Sequence, residues 1–192
     1  YESIKVYLTR LSGQTFTEAE TLRYMQILTF STNLEHIGDI IDKNLMEMAS
    51  KKIRNQDNFS RQGFAEISNL HARVIANLQL AQNVFMTGDM AMARKLFEEK
   101  SQIRGEELRA AESHFRRLRE GIAETIATSS LHLDILRDLR RINSYISLLA
   151  YPILEAAGEL NPTRLKAPRA PRATRARRPP KEKLPPPLPE KY

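Results

Sequence analysis

Cysteine and tryptophan are both missing from this 192-residue chain. Without cysteine there is no disulfide, no thiolate metal centre and no cysteine nucleophile. Its absence fits a reducing compartment. The seven glycines are scattered, so no Gly-rich loop exists to cradle a phosphate. There is no Gly-x-Ser-x-Gly elbow, and no pair of side chains stands out as acid and base. The chain is therefore read as a non-enzyme. No apolar run approaches the ~18–20 residues of a membrane span, and no signal peptide is visible. Period-two alternation and hairpin signals are absent too, which argues against a sheet. The chain opens on Tyr1 rather than Met, which reads as a piece of a longer protein.

Proline is nearly absent before residue 161. Nine of the ten prolines lie in residues 161–192, and that stretch carries ten Lys/Arg against two Asp/Glu, a charge of +8. The other 160 residues carry twenty Lys/Arg and twenty-one Asp/Glu, a charge of −1. The net +7 thus belongs to an appendix. Residues 1–160 are expected to fold as one domain and residues 161–192 to form a disordered tail, because the tail has too little apolar surface to offset its ordering entropy. Its Arg/Lys run suits an anionic membrane surface. It holds no aromatic before Tyr192, so base stacking is not expected and nucleic acid is not the partner read here.

What is present is helical periodicity, and the fold class expected is all-α, an antiparallel bundle of long helices. A first helix covers Tyr1 to Leu11 and ends at Ser12-Gly13-Gln14. Thr17 and Glu20 form a capping box for a helix running to about Asn55, with Leu34, Ile37, Ile41, Leu45 and Met48 on one face. A third spans about Ser60 to Met86. Gly88 breaks the chain, and Asp89 caps a fourth reaching about Arg119. After Gly121 a fifth runs from about Ile122 to Ala150 with the stripe Leu131, Ile135, Leu139, Ile142, Ile146, Leu149, and Pro152 kinks or ends it.

Two acidic pairs stand out on these helices. Glu35 and Asp39 sit at i and i+4, with Asp42 extending the stripe, and Asp134 and Asp138 repeat the spacing later. Residues four apart share a helix face, and like charges there repel by a few tenths of a kcal/mol. One reading is a cation held by carboxylates, and all-oxygen ligation would favour Mg, Mn or Fe. The other is a solvated, ion-paired face, with Lys43 four residues after Asp39 and Arg141 three after Asp138. The histidines supply no Glu-x-x-His motif, since Asn33, Ser68, Ala111 and Ser129 precede His36, His71, His114 and His132 by three. His132 followed by Asp134 resembles a phosphoacceptor helix only superficially, because no nucleotide-binding domain comes after it. A lone helical histidine is normally packed or on the surface.

Thr32-Asn33-Leu34-Glu35-His36-Ile37-Gly38-Asp39-Ile40-Ile41-Asp42-Lys43-Asn44-Leu45 resembles the signature helix of PhoU-like domains. The form Leu-Glu-His-Ile-Gly-Asp looks like the cytoplasmic C-terminal region of bacterial sodium/phosphate cotransporters. Ser129 to Ser144 resembles the second signature helix, and Tyr151-Pro152-Ile153-Leu154-Glu155 is similar to the segment usual after that helix. The resemblance covers residues 1–160 and implies a repeat of three-helix bundles with the first repeat truncated. It implies metal ligation by Glu35 and Asp39, then Asp134 and Asp138, with Asp42 weaker, and Fe, Mn, Mg or Zn as the cation. The partner helix in the second repeat would be that of Glu99, Arg104 and Glu107, where Arg104 departs from the acidic pattern. The function implied is a regulatory domain of a sodium-dependent phosphate transporter, at the cytoplasmic face of the inner membrane. Its partners would be an upstream transmembrane domain of the same protein and a second copy in a homodimer. A free-standing PhoU-type regulator of phosphate uptake and a carboxylate-bridged metalloenzyme are the alternatives.

Overall fold

A computed structural model describes residues 1–160 apart from Ser12 and Gln14. The break expected at Ser12-Gly13-Gln14 therefore lies partly outside the described residues, and the tail and its membrane contact lie wholly outside them. The described residues are all-α: α1 Glu2–Leu11, α2 Glu18–Asp39, a π-helical segment Ile40–Leu45, α3 Met46–Asn55, α4 Arg61–Thr87, α5 Met90–Arg119, α6 Ala123–Ala127, α7 Ser129–Ser147 and α8 Ala150–Ala156.

The caps explain the boundaries. Thr17 Oγ1 accepts from the Glu20 backbone N–H at 3.3 Å, and the Thr17 N–H donates to Glu20 Oε2 at 2.9 Å. This is the reciprocal capping box expected for α2. Ser60 caps α4 by accepting from the Gly63 N–H at 3.2 Å, and Asp89 caps α5 by accepting from the Met92 N–H at 2.7 Å. Between them Gly88 ends α4 at φ +67°, a left-handed turn that glycine makes without a Cβ clash.

Two expected helices are interrupted. The helix expected through Asn55 passes through the π-helical segment, whose wider turn rotates the downstream residues about the helix axis. Ile40, not Ile41, joins Ile37 in the core, and Leu34 and Ile41 are exposed. The helix expected from Ile122 to Ala150 is divided as well. At Thr128 the hydroxyl donates back to the Glu124 carbonyl at 2.6 Å and the backbone leaves helical geometry. Near the other end Pro152 has no N–H to offer the Leu148 carbonyl. The chain tightens there, with the Tyr151 N–H reaching Leu148 O at 3.3 Å. Pro152 thus lies in the first turn of α8, where its missing donor costs nothing.

Helix α7 is the hub. It packs on α4 and α5, which also pack on each other, and its other side meets α2, the π-helical segment and α3. Leu136, Leu139, Ile142 and Ile146 of α7 share one core with Leu70, Val74 and Val84 of α4 and Leu96 and Ile103 of α5. Because neighbours enclose α7, even its polar His132, Asp138, Asn143 and Ser147 are buried. Asn143 Oδ1 accepts from Asn77 Nδ2 at 2.9 Å across the α4–α7 interface.

Two helical glycines separate space from propensity. A Cβ at Gly38 would meet nothing within 4 Å, whereas at Gly63 it would lie 3.1 Å from Ser60 Oγ and 3.2 Å from His132 Cδ2. Gly38→Ala should raise stability by about 0.5–1 kcal/mol through helix propensity. Gly63→Ala should lower it by about 1 kcal/mol or more, because buried His132 has nowhere to move. Urea denaturation of the two variants checks the opposite signs.

Candidate functional site

The two resemblance-bearing helices meet where the π-helical segment faces α7. Asn44 Nδ2 donates to Asp138 Oδ2 at 2.9 Å, and Arg141 Nη1 donates to Asp138 Oδ1 at 2.8 Å. Asp138 is 1% exposed. A buried carboxylate needs such donors to offset its lost hydration. π-Helical turns are frequent at functional sites, and this one carries Asn44 against Asp138.

Beside this junction is a cleft of about 320 Å³ lined by Lys43, Lys51, Ser130, Asp134, Arg137 and Asp138, among others. Asp134 pairs with Arg137 at 3.0 Å on the exposed rim. Asp39 pairs with Lys43 at 2.8 Å, and Glu35 lies 3.5 Å from His36 Nδ1. Glu35 and Asp39 do not line the cleft, and Asp42 is exposed. The structure thus gathers Asp134 and Asp138 and leaves the earlier pair outside.

The α5 acids are also matched by cations of the chain. Arg73 of α4 reaches Glu99 at 2.6 Å and also pairs with Glu106, while Arg140 of α7 lies 2.9 Å from Glu107. Arg104 is exposed. Among the described residues no three His, Asp or Glu side chains converge to hold a metal ion. Asp39, Asp134 and Asp138 already carry cationic partners. The residues present do not fit Fe, Mn, Mg or Zn in this arrangement.

A second polar cluster went unnoticed in the sequence. Arg117 of α5 forks onto Glu66 of α4 with two 2.8 Å hydrogen bonds and also donates to Ser113 Oγ at 2.9 Å. His132 of α7 lies 3.1 Å from the same carboxylate and stacks on His114 of α5 with ring centroids 4.8 Å apart. His114 in turn shares a 2.9 Å hydrogen bond with Ser129. Burial would push the Glu66 carboxyl up, but hydrogen bonds from Arg117 and Ser113 and the guanidinium charge hold it below the ordinary range. Burial brings His132 down to about 4, against the pull of Glu66. His114 is lowered too, by burial and then by the nearby Arg117 charge. Both imidazoles are therefore neutral near pH 7. The available signal was position: Glu66 falls four residues before buried Leu70 on α4, and His114 and Arg117 fall three apart on the buried face of α5.

Comparison with known proteins gives one domain match and a set of similar proteins. Residues 67–151 match the model of the PhoU domain. The chain is similar to the "Putative inorganic phosphate export protein YjbB" of Escherichia coli (strain K12), 36% identical over 159 residues, 83% of this chain and 29% of that protein. The protein of the same name from Salmonella typhimurium is 37% identical over 155 residues, 81% of this chain and 28% of its own length. The chain thus spans under a third of the curated relatives it matches. No solved structure matches.

This geometry supports two measurements. A double-mutant cycle of Asn44→Ala and Asp138→Ala should show coupling of about 1–2 kcal/mol, because either change alone leaves a buried polar group short of a partner. Asp134→Ala, on the exposed rim, should change stability by less than about 0.5 kcal/mol. The second measurement concerns pH. His132 titrates near 6.5 when unfolded and about 4 when folded, so the unfolded chain takes up the proton first. Stability is full above about pH 6.5 and falls toward pH 4, by about 1–3 kcal/mol. Glu66, with its lowered pKa, adds a loss only below its unfolded value of 4.5. His132→Phe should flatten the slope between pH 6.5 and 4, and an unchanged slope in urea titrations would place the proton elsewhere.

Proposed function

We propose that this chain, whose residues 67–151 match the model of the PhoU domain, is the regulatory segment of an inorganic phosphate transport protein. The observation that carries this reading is the likeness to phosphate export proteins over 159 residues, well beyond the domain match itself. Transport itself would belong to other parts of a longer polypeptide. Support for this comes from the relatives, of which the matched stretch is 29%, and from the described helices, none of which is long and apolar enough to cross a membrane. The finer reading is a sodium-dependent transporter with this segment at the cytoplasmic face of the inner membrane.

The role is regulatory rather than catalytic, and the hub arrangement suggests how it would work. One side of α7 is locked to α4 and α5 by Glu66, Arg117 and His132. The other side meets α2 and the π-helical segment through the Asn44–Asp138 contact. Movement of α2 would be felt at α7 through that contact, giving transport a mechanical input from phosphate status.

Radiolabelled phosphate flux tests the proposal. Cells lacking their own exporter would carry the full-length protein, a form truncated before this segment, or the Asn44→Ala form. We expect the truncated form to lose the dependence of efflux on internal phosphate, and Asn44→Ala to shift it. Efflux that responds normally after truncation overturns the regulatory reading. Absence of any phosphate flux from the full-length protein overturns the transporter assignment.

A further inference from the structure

The cleft beside the Asn44–Asp138 contact has two walls. One is made by the π-helical segment and α3, the other by α7. Its three cations differ in how they are engaged. Lys43 is paired with Asp39, and Arg137 with Asp134. Lys51 pairs with no carboxylate of the described residues, although Glu47 lies one turn before it in the same cleft. Across from Lys51, on the α7 wall, the Ser130 hydroxyl has no hydrogen-bond partner among the described residues either. The hollow between α4 and α5 is different, because it is lined by Arg109 together with Glu66 and Glu106.

We propose that this cleft binds inorganic phosphate, with Lys51, Arg137 and Ser130 donating to its oxygens and Asp134 accepting from its O–H. A guanidinium carries five N–H groups, so Arg137 can keep Asp134 and still donate into the cleft. The carboxylates of the α7 wall do not exclude an anion. Asp138 is answered by Asn44 and Arg141, and Asp134 by Arg137. Asp134 instead selects among anions. An ionised carboxylate only accepts hydrogen bonds. Inorganic phosphate retains an O–H near neutral pH and can donate to it. Sulfate has no such proton, and a phosphomonoester has mostly lost its own. Either would meet Asp134 as unrelieved repulsion, which is how a site rejects a near neighbour of its ligand. Bound phosphate would tie Lys51 of α3 to Arg137 of α7 and so reinforce the junction that the Asn44–Asp138 contact makes.

The choice of phosphate rests on the transport reading above, and the two can fail separately. Titration calorimetry of the chain tests the site, with inorganic phosphate, sulfate and methyl phosphate as probes at one ionic strength. We expect one phosphate per chain, bound more tightly than either comparison anion. Lys51→Ala and Arg137→Ala should each weaken it about tenfold, the worth of one hydrogen bond to a charged group. Circular dichroism should not change, because both side chains are exposed. Asp134→Asn should remove most of the preference over sulfate. Lys95→Ala, an exposed cation of α5 outside the cleft, should bind as the unaltered chain does. Phosphate should also raise the urea midpoint of the unaltered chain and not that of Arg137→Ala. Neither heat nor a midpoint shift with phosphate overturns the proposal, as does an equal loss in Lys95→Ala. Sulfate binding as tightly as phosphate overturns the role of Asp134. Tighter binding of methyl phosphate overturns free phosphate as the ligand in favour of an esterified one, such as a lipid headgroup. Phosphate-dependent efflux by the full-length protein without binding here would sink the site and spare the transporter. Binding here without any flux would do the reverse.

Discussion

The Arg117–Glu66 fork is the contact on which the bundle depends. It joins α5 to α4 inside the protein, and His132 brings α7 onto the same carboxylate. An Arg–carboxylate fork has a fixed planar geometry, unlike a greasy contact that can slide. The fork therefore sets the relative register of two long helices whose apolar faces alone would tolerate slippage. Its burial is costly, and the same costs keep His132 and His114 neutral. Removing one partner would strand the other charge, which is far worse than never having had the pair. Ser113 and Ser129 complete the cluster with hydrogen bonds, so Arg117, Glu66 and His114 all have hydrogen-bond partners.

Much of the fold was legible because capping chemistry is local. Thr17, Asp89 and Gly88 mark helix ends through bonds to residues three or four away, so reading them requires no knowledge of the partners. The stripe from Leu131 to Leu149 was legible for the same reason, and Leu131, Leu139, Ile142, Ile146 and Leu149 are all buried. The π-helical segment was not legible. It accompanies a tertiary contact, that of Asn44 with Asp138, ninety-four residues away in sequence. Thr128 escaped notice in the same way, because a threonine that bonds back to its own helix looks like any other helical threonine. Glu66, His114 and Arg117 are each ordinary helix residues taken alone, and only three helices together make them a cluster.

The acidic motifs show how far residue identity and local spacing can be taken. Spacing placed Asp134 and Asp138 on related faces of one helix, but their environments differ sharply. Asp134 sits on the rim with an exposed arginine, while Asp138 is buried and held by Asn44 and Arg141. In α5 the same logic recurs, with arginines from α4 and α7 set against Glu99, Glu106 and Glu107. Repeatedly, a carboxylate that could have faced a cation from solution faces one from the chain. A guanidinium differs from a metal ion in what it can transmit. It is covalently tied to one helix, so each such pair links two particular helices or two turns of one, and cannot be emptied by a chelator.

This substitution bears on how a regulatory bundle could work. A bound ion would make helix packing respond to ion supply, whereas side-chain pairs make it respond to mechanical displacement and to protonation. The two sides of α7 differ in this respect. Toward α4 and α5 it is fixed by a buried charged fork and a continuous apolar core. Toward the π-helical segment that continues α2, it is held by an amide–carboxylate hydrogen bond at the edge of an open cleft. A hydrogen bond to a charged group is worth about 1.5–3 kcal/mol, small enough to be exchanged in a physiological equilibrium. The buried fork is too costly to break for the same purpose. Any conformational response is therefore expected to leave the α4–α5–α7 bundle intact and to change how α2 and the π-helical segment lie against it.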